Sequence, residues 1–292
     1  MFAPRHRYIV PIAHGGILRL DERVLIMGIL NVTPDSFADA THLTDAARAV
    51  DAALKMEADG ADLIDVGGES TRPGAEPVSA TEELARILPV LRGLAGRLRI
   101  PVSVDTYKAD VARAALDAGA AIINDVSGLR HDAALAAVAA NRGAALVLMH
   151  TRGRSQTMYA EAVYDDLIGE IGAELRGSVA LATAAGVRPD QIIVDPGIGF
   201  AKRPAHSYGV LARLPALAAL IDRPILVGPS RKSFMREAVH DRPPADRDWG
   251  TAAAVTAAVL AGAHIVRVHA VAEMVQVMRV AEEIRRAISH QP

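Results

Sequence analysis

Cationic side chains stand at the ends of short apolar runs in this 292-residue chain. Lys232, Arg267 and His269 follow the last two runs, and Arg72 holds the same position earlier in the chain. Guanidinium and ammonium groups bind phosphate oxygens, and arginine does so with two parallel hydrogen bonds. The pattern therefore predicts a binding site for an anion such as a phosphate.

Oxygen-bearing side chains end three further runs, at Asp105, Asn124 and Asp195. Carboxylate and amide acceptors suit the ring nitrogens and the exocyclic amine of a heterocycle in a pocket that holds little water. We expect this set to face the cations from the opposite side of the site. Aspartate and asparagine also cap helices, which is a sufficient explanation for these residues alone, but capping does not explain Arg267 or His269.

The stretch DVGGESTRPGA, residues 65–75, joins two glycines to a carboxylate, two hydroxyls, an arginine and a proline. Glycine allows backbone angles that a Cβ forbids, and proline fixes its own φ. The stretch predicts a shaped loop that holds Glu69, Ser70, Thr71 and Arg72 at the end of a strand. Taken by itself, an ordinary surface turn is the simpler interpretation, so the functional interpretation depends on the other run ends.

Metal ligands are sparse in the sequence. The chain has no cysteine and no HxH or HExxH motif, so we expect no transition-metal site built from protein ligands. Asn31 ends the first run and could give one oxygen to Mg²⁺, with phosphate oxygens of a substrate and water as the other ligands.

Eight apolar runs alternate with amphipathic segments such as 44–59, 81–97 and 132–142. The runs begin at Val24, Asp62, Ile100, Ala121, Ala145, Gln191, Pro224 and His264. Such alternation indicates a parallel sheet covered by helices, and eight units favour a (β/α)₈ TIM barrel with its active site at the carboxyl ends of the strands. No linker or repeat interrupts the pattern. We therefore predict one domain over residues 1–292, with residues 1–20 as an N-terminal extension.

The overall composition excludes several classes of protein. Hydrophobic residues make up 51% of the chain and charged residues 23%, which is typical of a globular protein. A formal net charge of −2 gives no general attraction to nucleic acid or to anionic membranes. The N-terminal residues lack the apolar core of a signal peptide, and no run is long enough to span a bilayer. We expect a cytoplasmic protein with no nucleic-acid or membrane partner.

Seven motifs follow one another along the chain: GILNVTPDSF (28–37), DVGGESTRPGA (65–75), SVDTYKADVA (103–112), INDVSG (123–128), DPGIGF (195–200), LVGPSRKSF (226–234) and RVH (267–269). Together they resemble the motifs of the dihydropteroate synthase family. Any one of them is a weak signal, whereas seven in register over nearly the whole chain are specific. The resemblance implies a pterin-binding TIM barrel and a homodimer.

The resemblance also implies a reaction. Enzymes of this family join 4-aminobenzoate to the methylene group of 6-hydroxymethyl-7,8-dihydropterin diphosphate, which gives 7,8-dihydropteroate and pyrophosphate for folate synthesis. By motif, Asn31 would contact Mg²⁺ held by the diphosphate, and Thr71 would lie near the diphosphate. The pterin would be held by Asp105, Asn124, Met149, Asp195 and Lys232.

The remaining implied roles concern the anion and the second substrate. Arg267 and His269 would bind the leaving pyrophosphate, and with Asp105 and Lys232 they would form the catalytic set. The 4-aminobenzoate would be enclosed by Asp35, Phe37, Arg72, Pro73, Phe200, Lys232 and Ser233. The STRPG loop would then be a wall of the second substrate's pocket, and sulfonamides would compete for that pocket.

Two departures from the family pattern keep other functions open. The first loop, SFADATHLTDA, lacks the usual glycine pair, and Ala270 stands where an aspartate usually follows the histidine. A non-catalytic pterin-binding paralogue is one alternative. A barrel that transfers a methyl group from methyltetrahydrofolate is another, although it has no need of the STRPG loop or of the SRK and RVH anion set. Pyrophosphate release that depends on aminobenzoate distinguishes the synthase from both.

Overall fold

The computed structural model describes residues 5–33, 42–71, 74–154 and 156–289. Within these ranges a ring of eight parallel strands follows a short antiparallel hairpin. The strands are β1 (Tyr8–Pro11), β2 (Ile17–Leu20), β3 (Leu25–Asn31), β4 (Leu63–Gly67), β5 (Val102–Asp105), β6 (Ile122–Asp125), β7 (Ala145–Met149), β8 (Ile192–Asp195), β9 (Leu226–Val227) and β10 (Ile265–Val268). The ring strands lie in the order β8-β7-β6-β5-β4-β3-β10-β9, and a bridge between Val194 and Ile225 joins β8 to the segment before β9. The predicted (β/α)₈ barrel is confirmed.

Helices follow the strands and cover the outside of the barrel. They are α1 (His42–Ala58), α2 (Ala80–Leu94), α3 (Ala109–Asp117), α4 (Ala134–Arg142), α5 (Leu167–Ala184), α6 (Pro204–Ala212), α7 (Leu214–Ile221), α8 (Asp248–Leu260) and α9 (Val271–Ser289). Strands covered on both faces are apolar throughout rather than alternating, and all five residues of β7 are buried. This is why continuous apolar runs in the sequence mark the strands.

Local sequence sets the helix ends. The hydroxyl of Ser79 accepts a hydrogen bond from the backbone N–H of Glu82 at 3.2 Å and caps the start of α2. α2 ends at Leu94, three residues before the predicted end, and Gly96 just beyond it has a φ of 72°. That left-handed backbone stops the helix at little cost because glycine has no Cβ.

The hairpin of β1 and β2 covers the amino-terminal end of the barrel. Leu18 and Leu20 are buried, and the backbone N–H of Ala13 donates to the carbonyl of Ala121, just before β6, at 3.1 Å. The sequence predicted an N-terminal extension here but no strands. Because the hairpin occupies the end where the strands begin, only the opposite mouth is available for a site of the predicted kind.

None of the helices in the described ranges is both long and apolar enough to cross a bilayer. The cytoplasmic location and the assignment of residues 1–292 to one domain stay predictions.

Candidate active site

The predicted polar residues lie around the carboxyl-end mouth of the barrel. Asn31, Asp105 and Asp195 are the last residues of β3, β5 and β8, and Asn124 and Arg267 come one residue before the ends of β6 and β10. Parallel strands bring all their carboxyl ends to the same mouth. Residues spread over more than two hundred positions of sequence are thus brought together.

Arg267 is the centre of a buried ion-pair cluster at this mouth. Its Nε donates to Oδ2 of Asp65 at 2.6 Å, and its Nη2 donates to Oδ2 of Asp105 at 2.7 Å. Oδ2 of Asp65 also accepts a hydrogen bond from Nδ2 of Asn124 at 2.9 Å. Arg267 is therefore bonded directly to the carboxylates of Asp65 and Asp105. The expectation that the cations and the carboxylates lie on opposite sides of the site is wrong for this pair. The arginine side chain is long enough to extend from β10 past β3 to β4 and β5.

The electrostatics of the cluster follow from its burial. Burial raises the pKa of Asp105 to about 7, although Arg267 opposes the rise, and the neighbouring Asp65 carboxylate adds to it. Burial by itself would lower the pKa of Arg267, but Asp65 and Asp105 outweigh it and hold that pKa above its ordinary value. The guanidinium is thus a fixed cation, while the charge on Asp105 responds to whatever binds beside it.

Asp195, at the end of β8, and Lys232, on the turn that follows β9, lie next to the cluster. Nζ of Lys232 donates to the carbonyl of Ile198 at 2.5 Å and lies 4.4 Å from the centroid of the Phe200 ring. Burial lowers the pKa of Lys232 to about 8, although Asp195 opposes this, and burial raises the pKa of Asp195. At neutral pH the pair still offers a cationic donor beside an acceptor, which is the combination that a heterocycle with both N–H and carbonyl groups requires.

The turn after β8 depends on close approach of the backbone to Lys232. Gly199 has a φ of 78°, and a Cβ at this position would lie 3.1 Å from Cδ of Lys232. The N–H of Gly197 donates to Oδ1 of Asp195 at 2.7 Å, which fixes one carboxylate oxygen. The DPGIGF motif therefore builds the wall against which Lys232 packs.

His269 is oriented by a serine on the neighbouring turn. Oγ of Ser230 lies 2.9 Å from Nδ1 of His269 and accepts the backbone N–H of the same residue at 3.2 Å. The sequence interpretation noted that Ala270 removes a carboxylate that could have oriented this ring. The serine contacts show that the ring has an orienting partner on the turn after β9.

A cavity opens beside the polar cluster. Its lining includes Thr71 and Phe200, both predicted to be substrate-binding, with Tyr107, Thr151 and Arg154. Two other predicted residues occupy nearby turns: Met149 is buried at the end of β7, and the hydroxyl of Ser233 lies 3.3 Å from the hydroxyl of Tyr159.

The loop that begins with DVGGES is anchored to the next turn of the barrel. The hydroxyl of Tyr107 donates to Oε1 of Glu69 at 2.6 Å, and the ammonium of Lys108 pairs with both Glu69 and Glu83. Glu69 therefore anchors the start of this loop to the turn between β5 and α3.

Four predicted substrate contacts, Asp35, Phe37, Arg72 and Pro73, lie outside the described residues. Two further polar residues near strand ends, Asp125 and His150, have partners within the protein. Asp125 accepts hydrogen bonds from the backbone of the following turn, and His150 is buried against Lys202.

Asn31 is the predicted magnesium ligand. It is the last residue of β3, the strand that pairs directly with the strand of Arg267. Among the described residues no group of three or more His, Cys, Asp or Glu side chains could hold a metal ion. A single amide oxygen fits an ion carried mainly by substrate phosphates and water.

Comparison with known proteins identifies the chain's relatives. A family model described as "Pterin binding enzyme" matches residues 27–269. The dihydropteroate synthase of Synechocystis is 48% identical over 265 residues, which is 91% of each chain. The solved dihydropteroate synthases of Yersinia pestis, with a sulfonamide drug, and Burkholderia cenocepacia, with 7,8-dihydropteroate, both align with a TM-score of 0.87. The Yersinia protein is 42% identical, and the alignment covers 94% of this chain and 98% of that one. The Burkholderia protein is 39% identical, and the alignment covers 100% of both chains.

The chain belongs to the dihydropteroate synthase family. It is accordingly a transferase of folate biosynthesis, and the predictions of family and reaction are confirmed.

Asp65 is the residue of this dihydropteroate synthase site that sequence reasoning missed. It lies inside β4, where its side chain is fully buried and bonded to both Arg267 and Asn124. The available signal was a carboxylate within the apolar run DLIDVG, since an ionisable group inside a buried strand requires a partner.

Asp65→Asn should damage both stability and substrate binding. The change leaves Arg267 with one fewer carboxylate in a buried site and should lower the free energy of unfolding by about 3 kcal/mol. It should also weaken pterin binding about tenfold or more, because a neutral amide oxygen is a weaker acceptor than a carboxylate for Asn124 and Arg267, which orient the pterin site. Urea unfolding and calorimetric titration with a pterin measure the two effects.

Asp62→Asn is the matched control, because Asp62 pairs with Arg23 near the start of the same strand, where both side chains are partly exposed. It should cost about 1 kcal/mol or less and leave pterin affinity unchanged. Equal effects of the two substitutions on pterin affinity would contradict the role given to Asp65.

Proposed function

We propose that this member of the family condenses 6-hydroxymethyl-7,8-dihydropterin diphosphate with 4-aminobenzoate, using the cluster around Arg267 as the reaction centre. The bond between the pterin methylene carbon and the diphosphate oxygen breaks, and the aniline nitrogen forms the new bond to carbon and loses one proton. Pyrophosphate leaves and 7,8-dihydropteroate is the product. The observation that carries the proposal is a buried arginine with one nitrogen still free of its two carboxylate partners.

That nitrogen is Nη1 of Arg267. The hydrogen bonds to Asp65 and Asp105 use Nε and Nη2, so the Nη1 donors remain for the diphosphate. His269, oriented by Ser230, supports the same anion. Donors held in place before the reaction stabilise a leaving group without reorganising during it.

The pterin is held by acceptors and a cation from three neighbouring parts of the mouth. Asp195 accepts from the amino and ring N–H groups, and Lys232 donates to a ring acceptor. Asn124 gives its Oδ1 to the ring, since its Nδ2 is committed to Asp65. Met149, buried at the end of β7, packs on the face of the ring.

Asp105 offsets positive charge on the pterin as the diphosphate leaves. With its pKa raised to about 7 by burial, the carboxyl ionises more readily once a cationic ring approaches. This favours a transition state in which the carbon–oxygen bond is largely broken before the weak aniline nucleophile attacks. Orientation of the aniline then matters more than a strong base.

The 4-aminobenzoate occupies the cavity beside Phe200 and Thr71, near Lys232 and Ser233. The family motifs imply that the same substrate is also contacted by Asp35, Phe37, Arg72 and Pro73, which lie outside the described residues. Mg²⁺ is part of the proposal as a substrate-borne ion that Asn31 would contact, where it would neutralise diphosphate charge.

Pyrophosphate release should require both aminobenzoate and Mg²⁺. In a coupled assay, leaving out aminobenzoate should abolish pyrophosphate release. Removing Mg²⁺ with excess chelator should abolish it as well, and adding Mg²⁺ back should restore the release.

Asn31→Ala should raise the Mg²⁺ concentration needed for half-maximal rate, because one protein oxygen is lost. Full activity in chelator removes Mg²⁺ from the proposal, and a protein that binds pterin but releases no pyrophosphate is the non-catalytic alternative.

We also propose that the protein is a homodimer joined through α8 and α9. A groove between these helices is lined by Ala252, Ala253, Thr256, Gln276, Val277, Val280, Ala281 and Ile284. Val280 is 62% exposed and Ile284 44% exposed, and the lining carries no charged side chain. A two-fold interface places the same patch of both copies together, which suits an uncharged apolar groove.

The homodimer can be tested by sedimentation. The wild-type protein should sediment at twice the 30.8 kDa chain mass. Val280→Asp should shift it to the monomer, because facing copies would each bury an uncompensated charge. Leu181→Asp is the control, since Leu181 is 61% exposed on α5. A wild-type monomer, or loss of the dimer in both variants, would refute this interface.

Sulfonamides should inhibit by competing with 4-aminobenzoate. They present the same aniline nitrogen, with a sulfonyl group in place of the carboxylate, so they fit the same cavity. Raising aminobenzoate should restore the rate in the presence of sulfamethoxazole, and a pterin–sulfonamide adduct should accumulate by mass spectrometry. Benzenesulfonamide, which lacks the aniline nitrogen, should form no adduct. Inhibition that is insensitive to aminobenzoate would show that the drug binds elsewhere.

A further inference from the structure

Lys202 is a buried lysine that the proposed reaction does not use. It is 1% exposed and is among the largest fully buried side chains of the described residues. Lysine is seldom buried without a charged partner. Within the described ranges, however, its Nζ bonds only the ring of His150, at 2.8 Å from Nδ1, and the carbonyl of Phe200, at 3.1 Å, and burial lowers its pKa well below the ordinary lysine value.

The carbonyl that Lys202 holds belongs to the wall of the proposed aminobenzoate pocket. The turn of residues 196–201 is bonded by two lysines from different sides. Lys232 donates to Ile198 on the side of the reaction centre, and Lys202 donates to Phe200 from the interior of the protein. Ala201, between Phe200 and Lys202, has a φ of 47°, which a residue with a Cβ rarely adopts. Such a conformation persists only where its surroundings fix it.

The lysine is itself fixed by a chain of polar side chains. Nδ1 of His150 lies 2.8 Å from Nζ of Lys202, and Nε2 of the same ring lies 3.3 Å from Oε2 of Glu174, a contact that does not meet hydrogen-bond geometry. Burial lowers the pKa of His150 to about 4, so the ring is neutral and able to accept. Glu174 is in turn paired with Arg130 and Arg152. The chain runs from the turn after β8 to α5.

Other contacts hold Asp195 independently of Lys202. The N–H of Gly197 donates to its carboxylate, and its backbone carbonyl accepts from the N–H of His150 at 2.8 Å. Loss of the lysine should therefore displace Phe200 more than the pterin-binding carboxylate.

We propose that Lys202, held by His150, is a positioning residue that sets the Phe200 wall and so determines affinity for the aminobenzoate substrate without touching it. This inference rests on the proposed function. It goes beyond that function in assigning a specificity role to a side chain buried behind the substrate pocket.

Steady-state kinetics of Lys202→Met test the proposal. Methionine keeps the apolar stem and removes the hydrogen-bond donors, so the KM for 4-aminobenzoate should rise about tenfold, the equivalent of one buried hydrogen bond. The KM for the pterin diphosphate should stay within about threefold of wild type, since Asp195 keeps its own contacts. Lys55→Met, on the exposed face of α1, is the control and should match wild type.

A second pair of variants covers the case in which Lys202→Met fails to fold. His150→Leu removes the acceptor and should reproduce the tenfold rise. His150→Asn keeps an acceptor near the position of Nδ1 and should restore an aminobenzoate KM close to wild type. If the role of Lys202 is purely structural, Lys202→Met, His150→Leu and His150→Asn should all lower the melting temperature. In each variant the KM for aminobenzoate and the KM for the pterin diphosphate should then change by the same factor.

The outcomes separate the inference from the function it rests on. Equal rises in both KM values, or kinetics unchanged from wild type, would overturn the positioning role. Wild-type and Lys55→Met proteins that both release no pyrophosphate would instead overturn the proposed function.

Discussion

Burial of one guanidinium inside the barrel mouth constrains the rest of the site. Arg267 can lie there because Asp65 and Asp105 accept its hydrogen bonds. An unpaired charge in such a place would cost on the order of several kcal/mol. Space is needed as well as charge. A Cβ on residue 67 would lie 3.3 Å from Cβ of Asp105, which is closer than most Cβ contacts. The first glycine of the DVGG motif is thus part of the same requirement.

The cluster together with its neighbours Lys232 and Asp195 carries three carboxyl groups (Asp65, Asp105, Asp195) against two basic side chains (Arg267, Lys232), and this balance bears on the chemistry. A diphosphate is repelled by surplus carboxylates, so the raised pKa of Asp105 matters: part of the population is neutral near pH 7. As negative charge leaves with pyrophosphate, the carboxyl can ionise against the cationic pterin. One residue thus accommodates the charge of the substrate and that of the transition state.

The sequence was sufficient to predict the barrel and most of its site because both depend on repeated local patterns. Buried parallel strands are continuous apolar runs, and their carboxyl ends share one mouth. Partners across the barrel have no such pattern. Nothing local indicates that Arg267 extends past β3 to Asp65, so the cations and carboxylates were wrongly placed opposite each other. The N-terminal hairpin was missed for the same reason, since its inner residues, such as Leu18 and Leu20, are recognisable only once the barrel end that they cover is known.

Ala270 shows how a departure from a family motif can be misread from sequence. A missing carboxylate after His269 suggests a poorly oriented imidazole and so favours a non-catalytic paralogue. In the structure, Ser230 holds both the ring nitrogen Nδ1 and the backbone N–H of His269. Because one hydroxyl contacts both the ring and the backbone of His269, rotation of the ring is restricted. The serine belongs to the SRK motif, which also carries Lys232. The orienting function therefore resides on the turn after β9, and the alanine by itself gives no reason to doubt catalysis.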